Sequence, residues 1–162
     1  MTSGRHGEEH GRRPTIAWGA ALVCWVAFIW GHSLVPGPQS TGESDAVASL
    51  LVGAIPLVGG LDPDVLTLVI RKGAHLGEYA VLGLLLCGLV GSRRRARPGS
   101  SVALAALVAL VPVVDEGIQL LVPGRSGQLS DVLIDLSGMV IGAAVLLAAA
   151  RLARGKGTGD GP

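Results

Sequence analysis

Four stretches of this chain are apolar for about as long as a bilayer is thick, and they leave few ways to fold. They lie at roughly 14–33, 72–91, 101–122 and 131–151. Each is near the ~20 residues that a helix needs to cross the hydrocarbon core. Hydrocarbon offers no partner for backbone N–H and C=O groups, so each segment must satisfy its own, as a helix does. Composition agrees: 49% of the 162 residues are hydrophobic and 15% are charged, where a soluble domain carries about 25% charged residues. The expected fold is all-α, an integral membrane four-helix bundle of one domain over 14–152. Polar, disordered tails are expected at 1–13 and 153–162.

The runs begin and end where local chemistry requires. The first carries Trp18, Trp25 and Trp30 and stops at Pro36-Gly37-Pro38. A basic region precedes it, but no small-residue cleavage site follows, which favours a retained helix over a cleaved signal. Residues 39–61 are too short and broken to span. Ala48, Leu51, Val52 and Ile55 recur at helical spacing before Pro56 and Gly59-Gly60, which predicts a short amphipathic helix at the membrane interface. Asp62-Pro63-Asp64 is a helix start: a capping carboxylate, proline at the first position, and an acid in the first turn. Pro112 interrupts the third run, Pro123-Gly124 turns the chain, and Ser130 or a neighbour caps the fourth helix.

Lysine and arginine set the expected orientation. Ten of the thirteen fall in the two tails and the Arg93–Arg97 loop, on one side; Arg71, Lys72 and Arg125 are left on the other. Both termini are therefore expected in the cytoplasm, with the lipid bilayer as the first partner. No basic, aromatic-laced patch suggests nucleic acid. Cys24 and Cys87 sit inside apolar runs and read as packing residues. His6 and His10 bracket two glutamates in the tail, a poor chelator on a flexible segment.

That orientation gathers the remaining polar residues at one level, on the outer half of the membrane. Lys72, His75, Glu78 and Tyr79 enter with the second span, beside Arg71. Asp115, Glu116 and Gln119 lie in the last turns of the third. Arg125 is in the loop, Asp131 and Asp135 open the fourth span, and His32 and Ser33 end the first. Spacings of three and four residues put Lys72, His75 and Tyr79 on one face, as they do Glu116 with Gln119 and Asp131 with Asp135. Intramembrane ionisable groups are costly and imply partners. Asp131 suits the positive end of its helix. Asp115 and Glu116 lie near a helix C-terminus, where the dipole disfavours them, and they call for a cation from Arg125, Lys72 or protonated His75. Asp135 lies beyond easy capping range. Gly138 and Gly142 form a GxxxG spacing, which permits close helix packing or self-association.

The segments RKGAHLGEYAVLG, DEGIQLLVPGR and SDVLIDLSGMVIG, with HSLVPGPQS after the first span, resemble the motifs of the VanZ-like family of small bacterial membrane proteins. The resemblance covers about residues 15–150, and His32 departs from its pattern. It implies a link with the cell envelope, since the family is named for a teicoplanin-resistance protein; the resistance role itself does not carry over.

Three readings follow. One is a site that binds or acts on a lipid-linked envelope precursor or a glycopeptide. Another is an enzyme with Glu116 or Asp135 as general base and His75 as its partner, although no nucleophile elbow, HExxH or phosphate-binding glycine loop is present. The third is a structural network that locks the helices. Five acids against Arg71, Lys72 and Arg125 leave an excess of negative charge that favours a bound cation, a proton or a cationic ligand over a pure lock. One histidine with oxygen ligands is a weak metal signature, so no metal or cofactor is assigned.

Overall fold

The computed structural model describes residues 3–55, 60–93 and 97–156, and every regular element among them is a helix. In chain order these are α1 (Ser3–Ser33), α2 (Gly37–Ala54), α3 (Pro63–Ser92), α4 (Pro98–Val108), α5 (Val111–Gln119) and α6 (Leu129–Lys156). Four stretches are long and apolar enough to cross a membrane: Pro14–Ser33, Pro63–Ser92, Pro98–Gln119 and Leu129–Gly155. The third is assembled from α4 and α5.

Local chemistry explains the boundaries. The Asp62 carboxylate accepts from the backbone N–H of Asp64 at 2.9 Å and of Val65 at 3.3 Å, satisfying two donors at the start of α3. Pro112 has no N–H, and its ring would strike the carbonyl of Val108 in a continuous helix. The chain answers by breaking at Ala109–Leu110 and restarting as α5 with the proline in its first turn. Ser130 does not cap α6 through a backbone N–H; its hydroxyl bonds the side chains of Gln128 and Asp131.

The principal packing partners are α3 and α6. Gly83, Gly138 and Gly142 make that contact possible. A Cβ on Gly138 would lie 2.5 Å from the Leu76 carbonyl, and one on Gly142 would overlap the Ala80 carbonyl. Between helices in lipid, attraction comes from close van der Waals fit, because the tails outside are as apolar as the core. The GxxxG spacing is therefore spent within this chain, against α3, and is not left as a face for self-association. Leu22, Ile29, Tyr79, Leu82, Val111 and Met139 fill the interior. Val23, Leu107 and Val140 are each more than 60% exposed, which suits a surface solvated by acyl chains.

α1 reaches back to Ser3 and α6 on to Lys156, so helix extends into stretches expected as disordered tails. Once a span has nucleated, each further residue adds a hydrogen bond at little cost. α2 is the short helix expected between the first two spans. Of its expected stripe, Ala48 is buried, as are Gly37, Ser40 and Ser44, while Val52 and Ile55 are exposed, which suits a helix at an interface. Small residues let α2 approach α3 closely. Pro56, Gly59, Arg94 and Arg95 lie outside the described residues, as do the side chains of His6 and His10.

Candidate functional site

Polar side chains from α1, α3, α5 and α6 meet at one end of the bundle. α1 ends there with His32 and Ser33, α3 contributes Lys72 to Tyr79, α5 its last turns, and α6 its first two turns. Four pairs tie the helices together. Ser33 Oγ donates to Asp115 Oδ1 at 2.5 Å, joining α1 to α5. His32 Nδ1 lies 3.0 Å from Glu78 Oε1, joining α1 to α3. Lys72 Nζ pairs with Asp131, and His75 Nδ1 stands 3.7 Å from Asp135 Oδ1; both join α3 to α6.

The acids are held in unequal ways. Asp131 is paired, so its role is a cross-helix ion pair as much as a helix-end charge. Glu116 Oε2 accepts the backbone N–H of Gln128 at 2.6 Å, which fastens the loop before α6. Asp115 is fully buried and accepts from Ser33 and, at 3.3 Å, from Gln119 Nε2. Neutral donors thus supply what a cation was expected to supply. Asp135 differs: it is fully buried, and neither carboxylate oxygen has a hydrogen-bond partner. His75 Nδ1, the Tyr79 hydroxyl and Glu116 Oε1 are also buried without one. Tyr79 is no interfacial ring; it is fully enclosed, next to Asp115 and Asp135.

Arg125 does not join the acids that surround it in sequence. Its Nε donates to the Val35 carbonyl at 3.0 Å and its Nη2 to that of His32 at 3.3 Å. It closes the C-terminal end of α1, where free carbonyls carry partial negative charge. Gly124, at φ 75°, makes the turn that carries it there, and the Gly37 N–H donates to Pro123 O at 3.0 Å. Burial, and then the neighbouring Arg71, push the Arg125 guanidinium below its ordinary value.

A cleft of about 140 Å³ opens between the end of α1, α2 and the first half of α3. His32, Glu43, Arg71 and His75 line it. His32 Nε2 lies 3.5 Å from Glu43 Oε2, so one imidazole bridges α2 and α3. Arg71 makes no ion pair with a described carboxylate. His75 belongs both to the cleft wall and to the buried acids behind it. A larger hollow, about 420 Å³, follows Leu133, Leu136 and Val140 along α6 and has no ionisable lining. It is an open, apolar hollow on the outside of α6.

A family model described as VanZ/LLP1 matches residues 18–151. The chain belongs to the VanZ-like family. No curated protein and no solved structure matches it. The three VanZ-like sequence segments are the ones that converge here: Lys72 to Tyr79 from the first, Asp115 to Gln119 from the second, and Asp131 to Gly138 from the third. Arg125, in the second segment, stands apart at the end of α1. Sequence reasoning passed over Glu43, Ser40, Ser44 and Gln128. Ser40 and Ser44 carry a signal in their four-residue spacing, which puts both on one face of α2. Gln128 acts through its backbone and leaves no side-chain signal.

Proposed function

We propose that this VanZ-like membrane protein binds the phosphate-bearing headgroup of a lipid-linked cell-envelope component at the polar end of its bundle. The observation that carries the reading is the cleft between α1, α2 and α3 with Arg71 on its wall. Arg71 has no described acid as partner, and a guanidinium presents a planar fork of donors that suits phosphate. Arg125, close enough to Arg71 to be affected by its charge, adds to the positive field at the mouth. The lysine and arginine balance supports a position of this end on the outer face of the plasma membrane, with both termini in the cytoplasm. A lipid could then keep its chains along the bundle while its head enters between the helices.

The Asp135 oxygens, buried without a hydrogen bond and facing His75 only at 3.7 Å, favour a ligand site over a network whose whole role is to lock helices. Natural locks satisfy their members, because a buried polar group without a partner costs about 1–3 kcal/mol. The test is binding of a polyprenyl phosphate to the chain in nanodiscs of zwitterionic lipid, read by native mass spectrometry. Retention by the wild type and at least a tenfold loss in Arg71→Ala are expected. Equal retention by both would contradict the reading. A cellular arm follows where expression lowers teicoplanin susceptibility. Alanine at His75, Glu116, Arg125 or Asp135 should abolish that effect with the protein still inserted, and an undiminished effect in all four would count against it.

A further inference from the structure

We propose that His75, Asp115 and Asp135 form a binding site for one divalent transition-metal ion. One ligand atom from each lies within 4.8 Å of the others, and the three come from three different helices. Asp135 is the independent indication that something is held there. Both its oxygens are buried without a hydrogen-bond partner, as is the facing His75 Nδ1, which stands off at 3.7 Å.

The donor set fits a metal in charge and geometry. Two carboxylates supply the two negative charges that a divalent ion neutralises, and among the described residues no lysine or arginine pairs with either. A buried unpaired charge is costly, so a cation there is favoured. An imidazole among the ligands favours Zn²⁺ over Ca²⁺ or Mg²⁺, and the two carboxylates also suit Mn²⁺. Ligand atoms about 2.1 Å from a tetrahedral metal stand about 3.4 Å apart. The His75–Asp135 separation of 3.7 Å is within a small side-chain rotation of that.

The surroundings behave as a support for ligands. Ser33 and Gln119 each donate one hydrogen bond to Asp115, which fixes its plane and leaves each oxygen a further lone pair. His75 lines the cleft, with a side chain 12% exposed, and so provides an entry path. Three protein ligands leave a position for a water or for an oxygen of whatever occupies the cleft.

The inference deepens the headgroup reading and rests on the same end of the bundle. The experiment uses the untagged full chain in nanodiscs, stripped with EDTA and then titrated with Zn²⁺ or Mn²⁺ by calorimetry, with elemental analysis of the loaded protein. One ion per chain is expected. Asp135→Asn should weaken binding at least tenfold, while Asp131→Asn, whose pair lies outside the site, should bind as the wild type does. Any ion held by His6 and His10 is common to all three proteins and cancels in the comparison. Should Asp135→Asn not insert, the wild type alone decides: Co²⁺ must give visible absorption without sulfur charge-transfer bands, and Zn²⁺ must raise the melting temperature. No uptake by the wild type, or equal uptake by Asp135→Asn, overturns the proposal. Headgroup retention in EDTA without metal uptake overturns this inference alone. Metal uptake without headgroup retention overturns only the lipid reading.

Discussion

Arg125 Nε donates to the Val35 carbonyl across 90 residues of sequence, at 3.0 Å. The residue that the sequence sets among four acids instead closes the helix that precedes them by most of the chain. Its fork spans two carbonyls, Val35 and His32, which a lysine cannot do with the same geometry. Arg125→Lys should therefore cost about 1–2 kcal/mol although it keeps the charge. Faster amide exchange over 34–37 and 123–126, with the rest of the bundle unchanged, is the expected signature. Wild-type protection in that variant would refute the capping role.

Lys72 and Asp131 join α3 to α6 at a point where neither side chain is wholly buried, at 30% and 16% exposure. Solvent screening limits such a pair to about 1 kcal/mol. A double-mutant cycle with Lys72→Met and Asp131→Asn should give a coupling energy of that order, diminished in high salt. A coupling near zero would mean that this pair adds nothing to the packing of α3 on α6.

That contact is the stronger constraint. A side chain at Gly142 meets the Ala80 carbonyl, a backbone atom that cannot rotate away. Gly142→Val should force the helices apart and cost about 1–3 kcal/mol, as overpacking does, and Gly91→Val, with open space beside it, serves as the control. Unfolding measured by steric trapping in bicelles would separate the two. Similar losses at both positions would point to helix propensity and away from packing.

The sequence made the spans, the Asp62 cap, the break at Pro112 and the polar end legible, because each follows from a local rule. Hydropathy finds a span, a missing N–H finds a break, and the cost of charge in lipid gathers ionisable groups at one level. What stayed hidden depends on long-range choices. Arg125 had acids before and after it, and only the tertiary turn at Gly124 shows that its nearer acceptors are carbonyls. In α2 the stripe of Ala48, Val52 and Ile55 gave no sign that Gly37, Ser40 and Ser44 would be buried with Ala48. Among the acids, position along the helix already set Asp131 apart from Asp135; what it could not supply was the partner, Lys72 for the first and an imidazole at 3.7 Å for the second.

The central claim is that Asp135 serves a ligand and not the fold, and its unfolding free energy tests that most directly. Asp135→Asn keeps the shape and removes the charge. Measured in EDTA, in nanodiscs and without added lipid precursor, the variant is predicted to be at least as stable as the wild type, because the carboxylate removed is buried without a hydrogen bond and only loosely paired with His75, at 3.7 Å. A loss of about 3 kcal/mol or more, the cost of breaking a buried pair, would show that the carboxylate holds the helices together and would contradict the account.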